Sequence, residues 1–216
     1  MEYSDILILI MELVGTVAFA ASGAMTAIQK HMDLFGVNVL GVTTAVGGGL
    51  IRDLILGLNP PAMFRDPKYA LTAVTASTIL FFCIYVKRDT TSDRHTQVYD
   101  RLLLIGDTIG LGIFSVMGSY AAVRSGFWNN RFLIVFVGVI TGVGGGMLRD
   151  IMAGNTPYIL IKHVYAVASL AGAFVFMLLY PSLGRLPAMV AGASLVIIIR
   201  ILAAHYRWNL PRIRES

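Results

Sequence analysis

Apolar segments long enough to cross a lipid bilayer make up most of this 216-residue chain. A bilayer core about 30 Å thick requires about 20 apolar residues in helical conformation. Charged residues account for only 13% of the sequence, against about 25% in an ordinary soluble domain. The sequence therefore predicts an all-α integral membrane protein with seven transmembrane helices, over residues 6–28, 34–57, 69–86, 102–123, 132–154, 163–180 and 187–204.

The distribution of Lys and Arg predicts how these spans are oriented. Seven spans place the two termini on opposite sides of the membrane, and an excess of Lys and Arg marks the cytoplasmic side. With the N-terminus outside, the outer loops hold five basic residues: Arg65, Lys68, Arg124, Arg131 and Arg185. The inner side holds nine: Lys30, Lys87, Arg88, Arg94, Arg101, Lys162, Arg207, Arg212 and Arg214. We therefore expect an outer N-terminus and a cytoplasmic C-terminus.

One motif, Gly-Gly-Gly-x-x-Arg-Asp, occurs twice, and each copy lies inside an apolar segment. The first copy occupies residues 47–53 of the second span, and the other occupies residues 144–150 of the fifth. The similarity continues beyond the motif, because Pro60 matches Pro157 at the same offset of 97 residues. We therefore predict that spans 1–3 and spans 4–6 are two copies of one three-helix unit.

An odd number of spans in each unit inverts the second copy relative to the first. The predicted units cover residues 1–86 and 102–180, joined by a cytoplasmic loop at 87–101. A seventh helix at 187–204 and a cytoplasmic tail at 205–216 lie outside the repeat, and we expect this helix to serve packing or subunit contact. Inverted repeats with interrupted helices near the bilayer midplane are typical of transport proteins.

Three consecutive glycines predict a kink or a break in spans 2 and 5. Each glycine costs about 1 kcal/mol relative to alanine inside a helix, and freed backbone groups must then face protein or water. We predict that span 2 divides into half-helices near residues 34–46 and 50–57, and that span 5 divides likewise. Tight helix packing is the alternative explanation. The glycines concerned are Gly47, Gly48, Gly49, Gly144, Gly145 and Gly146.

The motif also places charges deep inside apolar spans, where each costs about 2.5–3.5 kcal/mol near the bilayer centre. Adjacent residues point about 100° apart on a helix, so Arg and Asp of one motif need not pair, and we expect instead a cross-repeat arrangement or a partner on span 1 or 4. Glu12 and Asp107 match at an offset of 95 residues and are the candidate partners. A purely structural ion network is the alternative. The candidate pore or gating charges are Arg52, Asp53, Arg149 and Asp150.

Hydroxyl side chains inside the spans could supply oxygen atoms to an ion. The structural alternative is a hydroxyl that bonds to the carbonyl one turn earlier in its own helix. The hydroxyl residues concerned are Thr44, Thr141, Ser22 and Ser115.

Other kinds of chemistry find no support in the sequence. No cluster of His, Cys and carboxylate residues has the spacing of a metal site, and no signature of a hydrolase occurs. We therefore predict neither a metal site nor an enzyme. The basic residues lie in short loops and the tail rather than on a nucleic-acid-binding face, which argues against nucleic acid as a partner.

Two Gly-Gly-Gly-x-x-Arg-Asp motifs, on spans 2 and 5 of a seven-span chain with a 3+3+1 repeat, resemble the prokaryotic TRIC family of trimeric intracellular cation channels. Bacterial members are also catalogued as glycine-transporter-domain proteins. The resemblance covers residues 5–205. It implies a homotrimer in the prokaryotic inner membrane, in which kinked spans 2 and 5 of each protomer line a pathway for K⁺ and Na⁺. It implies no cofactor besides the permeant ions and bound lipid.

One departure from the family limits what the resemblance implies. Animal members carry lysine-containing motifs in this region that are associated with lipid binding, whereas this sequence has Arg-Asp. We therefore do not extend phosphoinositide regulation to this chain.

Two functions fit the sequence. The leading hypothesis is a monovalent cation channel, in which carbonyl and hydroxyl oxygens replace part of an ion's hydration shell. The alternative is a secondary transporter of a small amino acid such as glycine, because half-helix N-termini and arginine can bind a carboxylate.

Overall fold

The computed structural model describes residues 3–86, 94–161, 164–206 and 208. Within these residues, seven helices are long and apolar enough to cross a membrane, which confirms the predicted fold class. They are α1 (Tyr3–Gln29), α2 (Leu34–Ile55), α4 (Lys68–Val86), α5 (Arg94–Arg124), α6 (Arg131–Met152), α8 (Val164–Leu183) and α9 (Arg185–His205). Two four-residue helices, α3 (Ala62–Arg65) and α7 (Tyr158–Ile161), follow α2 and α6.

The polar segment before the fourth span differs from its prediction. Residues 94–101 are the first two turns of α5 rather than part of a loop, so the predicted loop at 87–101 is wrong over that stretch. Hydropathy marks only the part of a helix that is apolar, and this extension is polar. Residues 87–93 lie outside the described residues, as does the predicted tail apart from its first two residues and Trp208.

The long helices form two groups of three that meet at the centre of the molecule. Helices α1, α2 and α4 pack together, and so do α5, α6 and α8. The groups join where α1 lies against α5 and where α2 lies against α6, while α9 packs on α5 and α8. The outer faces carry exposed apolar side chains such as Ile79, Phe132 and Ile198, as expected of surfaces in contact with lipid.

Both motif helices run without interruption through their glycine triplets. Residues 34–55 and 131–152 are each assigned to a single α-helix, so the predicted division into half-helices is wrong. The cost of glycine in a helix is offset here because glycine has no side chain, which lets the backbones of α2 and α6 touch. Tight helix packing, the alternative explanation for the triplets, therefore fits the structure. A bend within these continuous helices stays a prediction.

Each motif helix ends in the same way, on the glycine four residues after the Arg-Asp pair. Gly57 and Gly154 have φ angles of 70° and 68°, in the left-handed region that favours glycine. The next amide donates back to the carbonyl of the motif aspartate at 2.8 Å, on Asp53 in one copy and Asp150 in the other. This six-to-one hydrogen bond defines a Schellman cap, which turns the chain into α3 or α7.

Candidate functional site

The backbones of α2 and α6 are in contact at the glycine triplets. A Cβ atom on Gly48 would lie 2.2 Å from the carbonyl oxygen of Thr141. Reciprocally, a Cβ on Gly145 would lie 2.1 Å from the carbonyl oxygen of Thr44. Both separations are far shorter than a van der Waals contact, so only glycine fits at either position. We call this contact the glycine crossing.

The glycine crossing shows that α2 and α6 are antiparallel. Moving from Thr44 to Gly48 along α2 corresponds to moving from Gly145 back to Thr141 along α6. Each motif arginine lies about six residues beyond the centre of the crossing, or about 9 Å at 1.5 Å per residue. Arg52 and Arg149 therefore lie on opposite sides of the crossing, as expected if the two copies are inverted.

The last glycine of each triplet faces the arginine of its own copy. A Cβ on Gly49 would have Nη2 of Arg52 as its nearest neighbour, at 3.7 Å. A Cβ on Gly146 would lie 3.7 Å from Nη2 of Arg149, and also 3.0 Å from the hydroxyl of Tyr165. The triplet therefore serves two purposes, helix contact and space for a guanidinium group.

The charges of the second motif copy form a buried cluster on one side of the crossing. We call it the second charge site, and it consists of Arg149, Asp150, Asp107, Ser22, Tyr165 and Arg200. The Arg149 guanidinium donates from Nε and Nη2 to Oδ1 of Asp150, each at 2.8 Å. Its Nη1 donates to Oδ1 of Asp107 at 2.8 Å and to the hydroxyl of Ser22. The Arg149 side chain is 1% exposed, so these bonds satisfy a fully buried cation.

Asp107 has two further neighbours in the second charge site. The hydroxyl of Tyr165 donates to its Oδ1 at 3.2 Å, and Nη2 of Arg200 lies 3.8 Å from its Oδ2. Arg200 comes from α9, and its guanidinium lies 4.7 Å from the centre of the Tyr165 ring, within cation–π distance. The cluster thus joins α1, α5, α6, α8 and α9.

The charges of the first motif copy form a smaller and more open cluster. We call it the first charge site, and it consists of Arg52, Asp53, Glu12 and Tyr69. Nε of Arg52 donates to Oδ1 of Asp53 at 2.8 Å, and the hydroxyl of Tyr69 donates to Oε2 of Glu12. The Arg52 side chain is 17% exposed, and Glu12 and Tyr69 are half-buried.

The motif aspartates also hold the short helices that follow. Oδ2 of Asp53 accepts from the backbone amide of Ala62 at 2.7 Å, at the start of α3. Oδ2 of Asp150 accepts from the amide of Tyr158 at 2.9 Å, at the start of α7. The aspartate in each copy therefore links its arginine to the returning chain.

Of the two predicted charge partners, one contacts a motif arginine and the other contacts a tyrosine. Asp107 contacts Arg149 as expected, whereas Glu12 accepts from Tyr69. Arg and Asp of one motif pair with each other in both copies, although partners elsewhere were preferred. An arginine side chain is long enough to curl across the 100° that separates adjacent helical positions.

The hydroxyl residues chiefly satisfy their own helices. Thr44 and Thr141 each donate to the carbonyl four residues earlier, at 2.6 Å. Ser115 donates to the carbonyl of Leu111 at 2.6 Å and lies 2.6 Å from the hydroxyl of Ser169. Ser22 is the exception, because it accepts from Arg149 across two helices.

Sequence reasoning missed Tyr69, Tyr165 and Arg200. The two tyrosines are 96 residues apart and occupy matching places in spans 3 and 6, which is a signal that comparison of the repeats could have found. Arg200 is a charge inside an apolar span, and its cost in a membrane was the signal. No group of three or more His, Cys, Asp or Glu residues that could hold a metal ion occurs in the described part of the chain.

Comparison with known proteins gives close relatives over nearly the whole chain. The family model described as Glycine transporter matches it twice, over residues 9–85 and 104–181, which supports the predicted duplication. A UPF0126 membrane protein of Deinococcus radiodurans is 36% identical over 203 residues, covering 93% of this chain and 89% of that protein. UPF0126 inner membrane protein YadS of Escherichia coli K12 is 34% identical over 203 residues, covering 93% of each.

Solved structures share the fold. A prokaryotic TRIC channel crystallised in 0.5 M KCl has a TM-score of 0.84 at 30% identity, covering 95% of this chain and 99% of that one. The TRIC trimeric intracellular cation channel orthologue from Rhodobacter sphaeroides has a TM-score of 0.83 at 32% identity, covering 94% and 99%. A chain solved in work on conductance through TRIC cation channels is 38% identical, with a TM-score of 0.81, covering 96% and 97%. With its duplicated motif, seven spans and these relatives, the chain belongs to the prokaryotic TRIC family, whose family model is described as Glycine transporter.

Proposed function

We propose that this protein is a monovalent cation channel, permeable to K⁺ and Na⁺, with an ion pathway inside each protomer lined by α2 and α6. The observation that carries the proposal is the arrangement of two intramembrane charge sites on opposite sides of the glycine crossing. Charges inside a membrane are costly and mark ion or substrate pathways. The structural relatives described as cation channels support the same function.

The first charge site suits the mouth of a cation pathway. Asp53 and Glu12 supply two carboxylates there against the one guanidinium of Arg52, so ionised side chains leave an excess of negative charge. Arg52 and Glu12 are both partly exposed, so this charge acts on ions outside the bundle. A cleft that has low-dielectric walls and a negatively charged lining raises the local concentration of cations.

The second charge site removes an obstacle to cation passage. A free guanidinium at this depth would repel K⁺, but Arg149 is held by Asp107, Asp150 and Ser22. With Arg200 included, two arginines face two aspartates, so the charges balance. We infer that the site holds the helices in place without adding a barrier of positive charge.

The glycine crossing is the proposed constriction of the pathway. The backbones of α2 and α6 touch there, at Gly48 and Gly145. Conduction on this account requires the two helices to separate at the crossing. The carbonyl oxygens and hydroxyls of Thr44 and Thr141 lie at the same level, and they are the oxygens that a partly dehydrated cation would meet.

A secondary transporter of a small amino acid is the second candidate, because the matching family model is described as Glycine transporter. A transporter of this kind needs a cation that can receive the substrate carboxylate. In Arg149, Nε, Nη1 and Nη2 all donate to protein groups. A glycine carboxylate at Arg149 would have to displace Asp107 or Asp150, which argues against this arginine as a substrate site.

We further propose that the protein forms a homotrimer in a prokaryotic inner membrane, with its N-terminus outside and its C-terminus in the cytoplasm. A solved relative described as trimeric supports the stoichiometry, and the excess of basic residues on one side supports the orientation.

A groove of about 460 Å³ lies beside α1 and offers an apolar surface for lipid chains. It is lined by Leu13, Val17 and Ile109 among others.

Purified protein in planar bilayers and in vesicles separates the two candidates. The channel predicts discrete unitary currents in KCl and in NaCl, together with no saturable glycine uptake. Saturable glycine uptake without unitary currents would establish the transporter instead. Gly145→Leu tests the proposed constriction, because its side chain has no room at the crossing and would hold α2 and α6 apart. It is expected to alter the open probability of the channel without creating glycine uptake.

A further inference from the structure

Arg200 is a buried arginine that the duplicated motif does not account for. The residue is 3% exposed, on α9. Its Nη2 lies 3.8 Å from Oδ2 of Asp107, which is beyond the 2.7–2.9 Å of a good charged hydrogen bond. Its Nε and Nη2, and Oδ2 of Asp107, make no hydrogen bond to any residue that the structure describes. Two opposite charges therefore face each other in a buried place without closing the gap.

The two carboxylate oxygens of Asp107 face different arginines. Its Oδ1 accepts from Nη1 of Arg149 at 2.8 Å and from Tyr165 at 3.2 Å, while its Oδ2 points toward Arg200. A movement of the carboxylate by about 1 Å would close the second contact to hydrogen-bond length. Arg149 would then keep Asp150 and Ser22 as partners, so each arginine would have a hydrogen-bond partner.

The two contacts join different helices. The Arg149–Asp107 contact ties α6 to α5, whereas an Arg200–Asp107 contact would tie α9 to α5. Exchange of the carboxylate therefore removes this polar link between α6 and α5, while the apolar packing between the two helices remains. Four residues before Arg149, the same helix carries Gly145, whose backbone touches Thr44 at the glycine crossing.

We propose that Arg200 competes with Arg149 for Asp107, and that its capture of Asp107 removes the polar link between α6 and α5 and favours the conducting state. This inference rests on the proposed channel function. Arg200 is on this account a positioning residue, because it acts on the pathway through Asp107 and α6. Among the residues that the structure describes, a competing arginine from α9 occurs at the second charge site and not at the first, since α9 lies outside the predicted repeat.

Single-channel recording from the full-length protein in symmetric KCl tests the competition. Arg200→Gln removes the competitor and leaves Asp107 on Arg149, so open probability is expected to fall about tenfold at unchanged unit conductance. Arg149→Lys weakens the other contact and is expected to raise open probability. The rise is expected to vanish in the double variant, because the competitor is then missing. Arg200→Lys keeps the charge and is expected to recover part of the loss.

Arg185→Gln is the matched control, because it removes the same charge at the opposite end of α9 and is expected to leave gating unchanged. The proposal would be overturned if Arg200→Gln had wild-type open probability. It would also be overturned if the rise caused by Arg149→Lys persisted in the double variant. If Arg200→Gln does not fold, unchanged gating in both Arg149→Lys and Arg200→Lys overturns it equally. Wild-type protein without any unitary current would overturn the channel function itself, whereas failure of the variants alone leaves that function standing.

Discussion

The two charge sites are built from matching residues, yet one is sealed and the other is open. In the second site the Arg149 side chain is 1% exposed and Asp107 is fully buried. In the first site the Arg52 side chain is 17% exposed, and Glu12 is half-buried. The two copies of the motif therefore place matching residues in different environments.

Most of this difference comes from what the rest of the chain adds to the second site. Ser22 on α1 accepts from Arg149, and Arg200 on α9 lies over Tyr165. The equivalent Arg52 pairs with Asp53 at the edge of the bundle. A seventh helix added to one side of a symmetric pair makes the two ends of the proposed pathway unequal, with an accessible mouth at one end and a locked cluster at the other.

The largest expected contrast is between Asp107→Asn and Glu12→Gln. Removing the Asp107 charge takes the carboxylate away from buried Arg200 and one of two acidic partners away from Arg149, and is expected to lower the free energy of unfolding by about 3–5 kcal/mol. Glu12 is partly solvated, so its neutral variant is expected to cost less than about 1 kcal/mol. Thermal unfolding of both variants in the same detergent measures the contrast. Equal losses would mean that the two sites do not differ in the way the burial indicates.

A second contrast concerns the tyrosines that hold the two acids. Tyr165→Phe removes a buried hydrogen bond to Asp107 and is expected to cost about 1.5–3 kcal/mol, the range for a charged partner. Tyr69→Phe is expected to cost about 1 kcal/mol or less, because water can replace the hydroxyl at half-buried Glu12. The same unfolding assay applies, and a larger loss for Tyr69→Phe would contradict the account.

The sequence predicts those parts of the sites that a local pattern marks, and it does not predict those that depend on how the helices pack. The seven spans, the repeated motif and the contact of Asp107 with Arg149 all follow from apolar length, duplication and the cost of buried charge. The continuity of α2 and α6 does not follow, because it depends on the gain from backbone contact between Gly48 and Gly145, which only the folded pair reveals. The side chain of Arg200 reaches its site through the packing of α9, which no local pattern encodes.

The third contrast uses the last glycine of each triplet and predicts effects of opposite sign. Alanine at 146 would place a Cβ 3.0 Å from the Tyr165 hydroxyl, and we expect a loss of about 1 kcal/mol from crowding. Alanine at 49 meets only Arg52, at 3.7 Å, so its better helix propensity is expected to add up to about 1 kcal/mol. Gly49→Ala should raise the unfolding temperature and Gly146→Ala should lower it. A loss at both positions would show that the first site is as tightly packed as the second.

The smallest expected difference lies at the glycines that end the motif helices. Gly57 and Gly154 share left-handed φ angles, and nothing lies within 4 Å of an added Cβ on either. Alanine at either position is expected to cost about 1 kcal/mol from backbone strain alone, so the two unfolding temperatures should fall together. Unequal shifts would place part of the asymmetry in the caps rather than in the charge sites.

The reversal potential of single-channel currents under a KCl gradient shows directly whether the protein conducts cations. The proposed cation pathway runs between a carboxylate-rich mouth and a charge-balanced cluster. We therefore expect unitary currents that reverse near the K⁺ equilibrium potential, and near the same voltage when the chloride is replaced by a large anion. Reversal near the Cl⁻ equilibrium potential, or wild-type protein that carries no unitary current, would contradict it.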